Sequence, residues 1–253
     1  MPTLRDWLAA EPFTLSLSSG FFGFFAHAGM LSVLDEEGLT PRRLTGSSAG
    51  ALVAGCWASG LDSPALREIL FGLTRESFWD PGLGLGLLKG EKFRQRLAEV
   101  LPARRFEDCR APLALSVYDA YSRSTRVLDS GELIPAIYAS SALPFLFQPL
   151  RRDGMLLWDG GIKDRPALAG TTAGERVFYH HIASRSPWRS ASSPALRLPE
   201  RDNLLGLAIH GLPRSGPNRL PVGREAYARA RDSMRRALAE PVTGHSLQLH
   251  SAS

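Results

Sequence analysis

The stretch Thr45-Gly46-Ser47-Ser48-Ala49-Gly50-Ala51-Leu52 constrains this chain more than any other. Its centre, Gly46 to Gly50, reads G-x-S-x-G, the pattern of a sharp strand-to-helix turn that lifts a serine hydroxyl clear of a sheet. A serine hydroxyl is a weak nucleophile unless it is exposed, aimed and beside a base. The turn does the aiming. It also brings backbone against backbone, so its flanks admit only tiny side chains, here Gly46, Ala49 and Gly50. Ala51 to Ala58 then reads as a helix that is apolar all round, hence buried, and that Gly60 can stop. Its N-terminus directs partial positive charge at Ser48. The same residues also describe a small-residue core helix that Ser48 merely caps. The pattern needs a base and an oxyanion site before it signifies chemistry.

With 253 residues, 44% of them apolar, and neither repeats nor a clear linker, one domain spanning 1–253 is expected. Its core covers about 13–240, and 243–253 reads as a flexible tail. Of the 30 basic residues only Lys89, Lys92 and Lys163 are lysines, and no basic block is interleaved with aromatics. That excludes a nucleic-acid partner, whereas the net charge of +5 suits an anionic membrane surface. Cys56 and Cys109 have neither metal spacing nor a disulfide framework, which points to a reducing compartment and a cytoplasmic location without a metal site. Met1 to Pro12 carries Arg5, Asp6 and Glu11 and lacks the order of a signal peptide. No apolar run reaches the roughly 18 residues of a membrane span, so contact with lipid is expected to be peripheral. Oligomeric state is not legible.

In chain order, Phe13 to Ser18 alternates as a strand and ends in Ser19-Gly20-Phe21-Phe22-Gly23-Phe24-Phe25, after which Ala26 to Gly38 reads as a helix. A glycine-containing turn at a helix N-terminus exposes amides that bind anions or oxyanions. A dinucleotide site is unsupported, because G-x-G-x-x-G is absent. Leu39 to Thr45 is a second strand leading into the elbow, and Ser63-Pro64 opens a helix with Ser63 as its cap. Asp80 to Leu88, rich in glycine and leucine, reads as a loop or apolar flap. Glu91 to Leu101 is an amphipathic helix, Ala111 to Tyr118 and Thr125 to Leu128 are strands, and Gly131 to Ser140 is a helix. Met155 to Trp158 is a strand running into Asp159-Gly160-Gly161, and Arg176 to Ala183 is another. Ser184 to Asn203 reads as a surface excursion, and Glu225 to Leu238 as a charged helix with little apolar face.

Two kinds of base suit Ser48. A triad of the α/β-hydrolase kind needs an acid and then a histidine after the serine, and His180, His181, His210, His245 and His250 all follow it. Only two strands precede the elbow, however, and His180 and His181 fall inside a strand. The alternative is a dyad with a carboxylate base. Asp159 stands at the end of an apolar strand, where α/β sheets collect functional groups, and Gly160 and Gly161 free its backbone.

An early glycine turn, G-x-S-x-G at the next strand–helix junction, and D-G-G about a hundred residues on together resemble the patatin-like phospholipases. Leu88-Lys89-Gly90, Phe106-Glu107-Asp108 and Ala139-Ser140-Ser141-Ala142-Leu143-Pro144 agree in order and spacing. The resemblance implies a three-layer α/β/α sandwich with a mostly parallel central sheet and a Ser48–Asp159 dyad. It further implies an oxyanion hole in the turn Gly20, Phe21, Phe22, Gly23, and hydrolysis of lipid acyl esters without metal or organic cofactor. The turn departs from the G-G-G-x-R-G form of most bacterial members and looks more like the Gly-Phe-x-Gly-Phe version of the animal branch. Ile162-Lys163-Asp164-Arg165-Pro166 stands where an asparagine-rich stretch is usual. A lipid-binding or regulatory protein on the same scaffold is the rival from another class, and a histidine-based esterase is a third.

Overall fold

The computed structural model describes residues 1–183, 193 and 196–251. In chain order the elements are α1 (Leu4–Ala10), β1 (Thr14–Leu17), α2 (Phe24–Glu36), β2 (Arg43–Ser47), α3 (Ala49–Ala58), α4 (Ser63–Phe71), β3 (Gly86–Leu88), α5 (Glu91–Val100), β4 (Leu113–Asp119) and β5 (Ser124–Leu128). They continue with α6 (Leu133–Ser141), β6 (Phe145–Phe147), β7 (Leu150–Arg152), β8 (Met155–Asp159), β9 (Val177–Ile182), β10 (Leu204–His210), α7 (Val222–Ala239) and β11 (Ser246–His250). The main sheet runs β11-β10-β9-β1-β2-β4-β8-β7, with β5 also paired to β4. Every pairing from β11 to β4 is parallel, and β5, β7 and β8 complete the sheet antiparallel. The molecule is an α/β sandwich around a mostly parallel sheet.

Its layers are unequal. Leu15, Leu17, Leu44, Leu113, Leu115, Phe178, Leu205 and Leu207 share one face by register and join one core with buried residues of α1 to α7. The opposite face carries Ser16, Thr45, Ala114 and Ser116. Small polar residues there accept a thin cover. Ser16 Oγ donates to the Pro166 carbonyl (2.6 Å), Ser116 Oγ to Asp164 Oδ2 (2.6 Å), and Gly170 lies against Ala114.

Several expectations need correction. The segment 243–253, expected as a flexible tail, supplies β11, which pairs in parallel with β10 from Ser246 to His250. β10 was itself unforeseen, and so was α1, whose N-terminus is set by a Thr3–Asp6 capping box. The cap of α4 is Asp62, whose Oδ1 accepts from Ala65 N–H at 2.7 Å, rather than Ser63. α7 does have an apolar face: Ala226, Tyr227, Ala230, Met234 and Ala237 are buried. It lies so close to α2 that a Cβ on Gly29 would sit 2.2 Å from the Tyr227 carbonyl oxygen. Within the apolar flap, Gly86–Leu88 pairs in parallel with Phe145–Phe147 as a separate two-stranded sheet. Most of the expected surface excursion, 184–192 and 194–195, lies outside the described residues.

Candidate active site

At the carboxyl end of β2 the chain turns at Ser48 with φ 54° and ψ −118°, a conformation that non-glycine residues adopt only under strain. α3 starts at the next residue, so its N-terminal amides point toward the turn. Close approach explains the flanking residues. A Cβ on Gly50 would lie 2.1 Å from the Leu17 carbonyl oxygen, and one on Gly46 2.7 Å from the Ala51 nitrogen. The first turn of α3 is thereby pressed against the end of β1.

β8 ends in Asp159, buried to 4% exposure, while Ser48 is half-buried. Ser48 Oγ donates to Asp159 Oδ2 at 2.6 Å, and the other carboxylate oxygen accepts from Gly161 N–H at 2.8 Å. Gly160 and Gly161 form the 3-10 turn that permits this approach. A Cβ on Gly160 would stand 2.0 Å from the Ser116 carbonyl oxygen, and one on Gly161 2.2 Å from Ser19 Oγ. The Asp-Gly-Gly turn is thus wedged between β4 and the residue that precedes the glycine turn.

Sequence reasoning passed over the supports from α6. Ser140 Oγ accepts Ser48 N–H at 3.0 Å and donates to the Ser116 carbonyl at 2.7 Å, while Ser141 Oγ donates to the Ser48 carbonyl at 3.2 Å. One serine hydroxyl therefore ties the elbow to β4. The signal was present as Ala139-Ser140-Ser141-Ala142, but nothing in it says which hydroxyl faces the elbow.

The turn after β1 is anchored on all sides. Ser18 Oγ accepts from Ile182 N–H (2.9 Å), Ser19 N–H donates to the Arg165 carbonyl (2.8 Å), and Ser215 Oγ donates to the Phe22 carbonyl (3.1 Å). Phe22 has φ 54°, a second strained non-glycine residue beside Ser48. Gly23 N–H is bonded to the Gly20 carbonyl at 2.9 Å and closes the turn, which removes Gly23 from the expected oxyanion donors. Gly20, Phe21 and Phe22 remain in the stretch leading to the α2 N-terminus. Of the four phenylalanines here, Phe24 and Phe25 are core, and Phe21 and Phe22 are half-buried. A cleft of about 250 Å³ opens beside the turn, lined by Phe21, Phe22, Ile182, Ile209, Leu212 and Arg214 among others; neither Ser48 nor Asp159 lines it.

The histidines serve other bonds. His27 Nε2–H donates to the Ser18 carbonyl (2.8 Å), which leaves Nδ1 to accept from His180 Nδ1–H (2.9 Å). His180 Nε2 is buried with no hydrogen-bond partner. His181 Nδ1 accepts from the Tyr179 hydroxyl (2.9 Å), and His210 Nε2 pairs with Gln248 Oε1 (3.1 Å). Burial lowers His27 to about 4 and His181 to about 3, and pushes His180 well down. His250 stacks on His210, and the His245 carbonyl accepts from Gly206 N–H.

A serine and a carboxylate thus meet at strand ends, beside an amide-rich turn of an α/β sandwich. Residues 15–169 match the model described as patatin-like phospholipase, and the chain belongs to that family. It is 33% identical over 158 residues to an uncharacterized NTE family protein of Mycobacterium tuberculosis, across 61% of this chain and 44% of that protein. It is 26% identical over 173 residues to the neuropathy target esterase sws of Drosophila persimilis, across 62% of this chain and 12% of that protein. The chain thus spans under half the length of the mycobacterial relative. VipD from Legionella pneumophila shares the fold, with TM-score 0.54 and 16% identity over 90% of this chain and 67% of that one. Among the described residues no helix is long and apolar enough to cross a membrane.

Proposed function

We propose that this chain is a serine lipid acyl hydrolase that cleaves carboxylic esters of phospholipids, lysophospholipids or acylglycerols. The observation that carries the reading is the 2.6 Å bond from Ser48 Oγ to Asp159 Oδ2, with Ser48 held at φ 54°. Family membership and the esterase named among the relatives support it. Ser48 Oγ attacks the ester carbonyl carbon as its proton passes to Asp159. Amides of the Gly20–Phe22 turn take the charge that develops on the carbonyl oxygen; one such donor is worth roughly 3 kcal/mol of barrier. The intermediate collapses, the alcohol leaves with the proton from Asp159, and acyl-Ser48 remains. Asp159 then deprotonates a water that attacks the acyl carbon, and the fatty acid departs as Ser48 regains its proton. The mild positive charge and the apolar surroundings of the site suit peripheral contact with a lipid surface.

A fluorophosphonate probe and a soluble butyrate ester test this directly. Wild-type protein should label once, at Ser48, and turn the ester over. Ser48→Ala and Asp159→Asn should abolish turnover with an unchanged melting curve, and His210→Ala should retain it. Substantial turnover in folded Ser48→Ala or Asp159→Asn refutes the dyad.

A further inference from the structure

Four of the seven large apolar side chains exposed among the described residues lie on the small β3–β6 sheet and its loop: Leu83 (103%), Leu85 (56%), Leu87 (49%) and Phe145 (86%). Their exposure is built rather than frayed. Gln148 Oε1 accepts from Leu85 N–H (2.9 Å), and Gln148 Nε2 donates to the Gly86 carbonyl (2.6 Å). Leu87 accepts from Gly82 N–H (3.0 Å), and Lys89 N–H donates to the Asp80 carbonyl (2.9 Å). Leu88, Tyr138 and Phe147 form a buried cluster beneath. Phe145 adopts φ 67°, a strained conformation for a bulky residue that nonetheless faces water. Folding alone gains nothing from holding these four side chains in solvent, and a contiguous exposed apolar patch marks a contact.

The occupant follows from charge and position. Residues 81–88 and 143–150 contain no charged side chain, while the flanking 75–96 and 151–153 carry seven basic residues against four acidic ones, including two of the three lysines. An apolar centre with a net basic flanking sequence matches a lipid surface with anionic headgroups. The patch also leads straight to the dyad. The Ala142 carbonyl accepts Asp159 N–H at 3.0 Å, and Phe145 follows three residues later, within about 11 Å along the chain.

We propose that the β3–β6 sheet is the surface by which this protein docks on membrane lipid, with Leu83, Leu85, Leu87 and Phe145 entering the acyl boundary. The proposal rests on the acyl-hydrolase reading of the site and adds where the lipid surface meets the chain. The flanking basic residues meet phosphate headgroups, and docking sets the Ser48–Asp159 pair beside the surface from which an ester is drawn.

The experiment uses the full chain with Ser48→Ala, so that vesicles are not consumed, and measures co-sedimentation with phosphatidylcholine vesicles with and without phosphatidylglycerol. The parent should bind the anionic vesicles more tightly, less so as salt rises. Leu83→Glu/Leu85→Glu should weaken partition about tenfold or more, with an unchanged melting curve. Phe145→Asn, which tolerates the positive φ, should weaken it independently and covers the case in which the double variant misfolds. With Ser48 restored, both variants should hydrolyse the soluble butyrate ester at the parental rate. Variants that partition like the parent overturn the proposal, as does a parent that cleaves the soluble ester yet never sediments with vesicles. A dimer that the variants dissolve, without vesicle binding, assigns the face to a second copy and also overturns it. Failure of the acyl-hydrolase reading has a different signature: no labelling and no soluble turnover, with vesicle partition still lost in the variants.

Discussion

Acidification should unfold this protein well before its carboxylates protonate. His27 and His180 are fully buried and His181 is 3% exposed. Burial holds His27 at about 4 and His181 at about 3, against an ordinary 6.5, and lowers His180 strongly. The Arg165 guanidinium adds to the lowering at His27 and His181, and His210 adds to it at His181. The folded state keeps all three neutral while the unfolded chain takes up protons below pH 6.5. Their contribution is therefore complete above pH 6.5 and is lost as pH falls from there toward about 4. Between pH 7 and pH 5 each histidine costs roughly 2 kcal/mol, and three cost roughly 6 kcal/mol, comparable with the entire stability of a domain. Glu175, whose carboxyl is held low by Thr14, Thr172 and Arg43, loses its contribution only below about 4.5 and leaves the window clear. Urea unfolding at pH 7, 6 and 5 should show stability falling by roughly 3–4 kcal/mol per pH unit at the acid end. His181→Asn should reduce that slope by about a third. Stability that stays flat from pH 7 to pH 5 would refute the reasoning, since the buried rings would then be charged or solvated in the folded state.

Ser140→Ala removes the hydroxyl that joins Ser48 N–H to the Ser116 carbonyl and strands both groups. The expected loss is about 2–3 kcal/mol, or roughly 4–12 °C in melting temperature, with slower fluorophosphonate labelling; unchanged stability and labelling would remove Ser140 from the support of the elbow. Gly50→Ala drives a Cβ to 2.1 Å from a backbone oxygen, whereas Gly55→Ala meets the Ile137 Cδ1 methyl at 2.4 Å, which can turn away. Chemical denaturation should find Gly50→Ala the costlier by at least about 2 kcal/mol, and equal costs would show that the β1–α3 contact is not tight.

What the sequence made legible was the part governed by local rules. Gly46-Ser47-Ser48-Ala49-Gly50 implies a strand–turn–helix because few other backbones accept those residues, and that element is where expected. Asp159-Gly160-Gly161 was placed at a strand end by the apolar run before it. Leu204 to His210 was missed because a strand buried on both faces has no alternation to detect. The α7 face was missed because Ala226, Ala230 and Ala237 carry almost no hydrophobic signal, yet small side chains are what let α7 reach the Gly29 backbone. β11 is a parallel edge strand with exposed alternate residues, and its partner is the strand that was not foreseen. Ser140 was illegible as a site support because its role depends on a contact across 92 residues of chain.

On the proposed reading, the geometry accounts for a carboxylate base that needs no third residue. An imidazole base turns freely about its own bonds, so triads add an acid to fix its ring and tautomer. Asp159 sits in a tight turn whose own Gly161 N–H holds Oδ1 at 2.8 Å, while the Ala142 carbonyl holds the Asp159 amide at 3.0 Å. The orienting group is thus the next turn of the same backbone. Rotation of the carboxylate away from Ser48 would break that bond in a buried site, at a cost of about 1–3 kcal/mol. Gly160 and Gly161 admit no Cβ because the turn is packed against Ser116 and Ser19, so the orientation is fixed from both sides. On the proposed reading, the strain at Ser48 and the closeness of that turn are two halves of one arrangement: the elbow presents the hydroxyl, and the glycines bring the base to it.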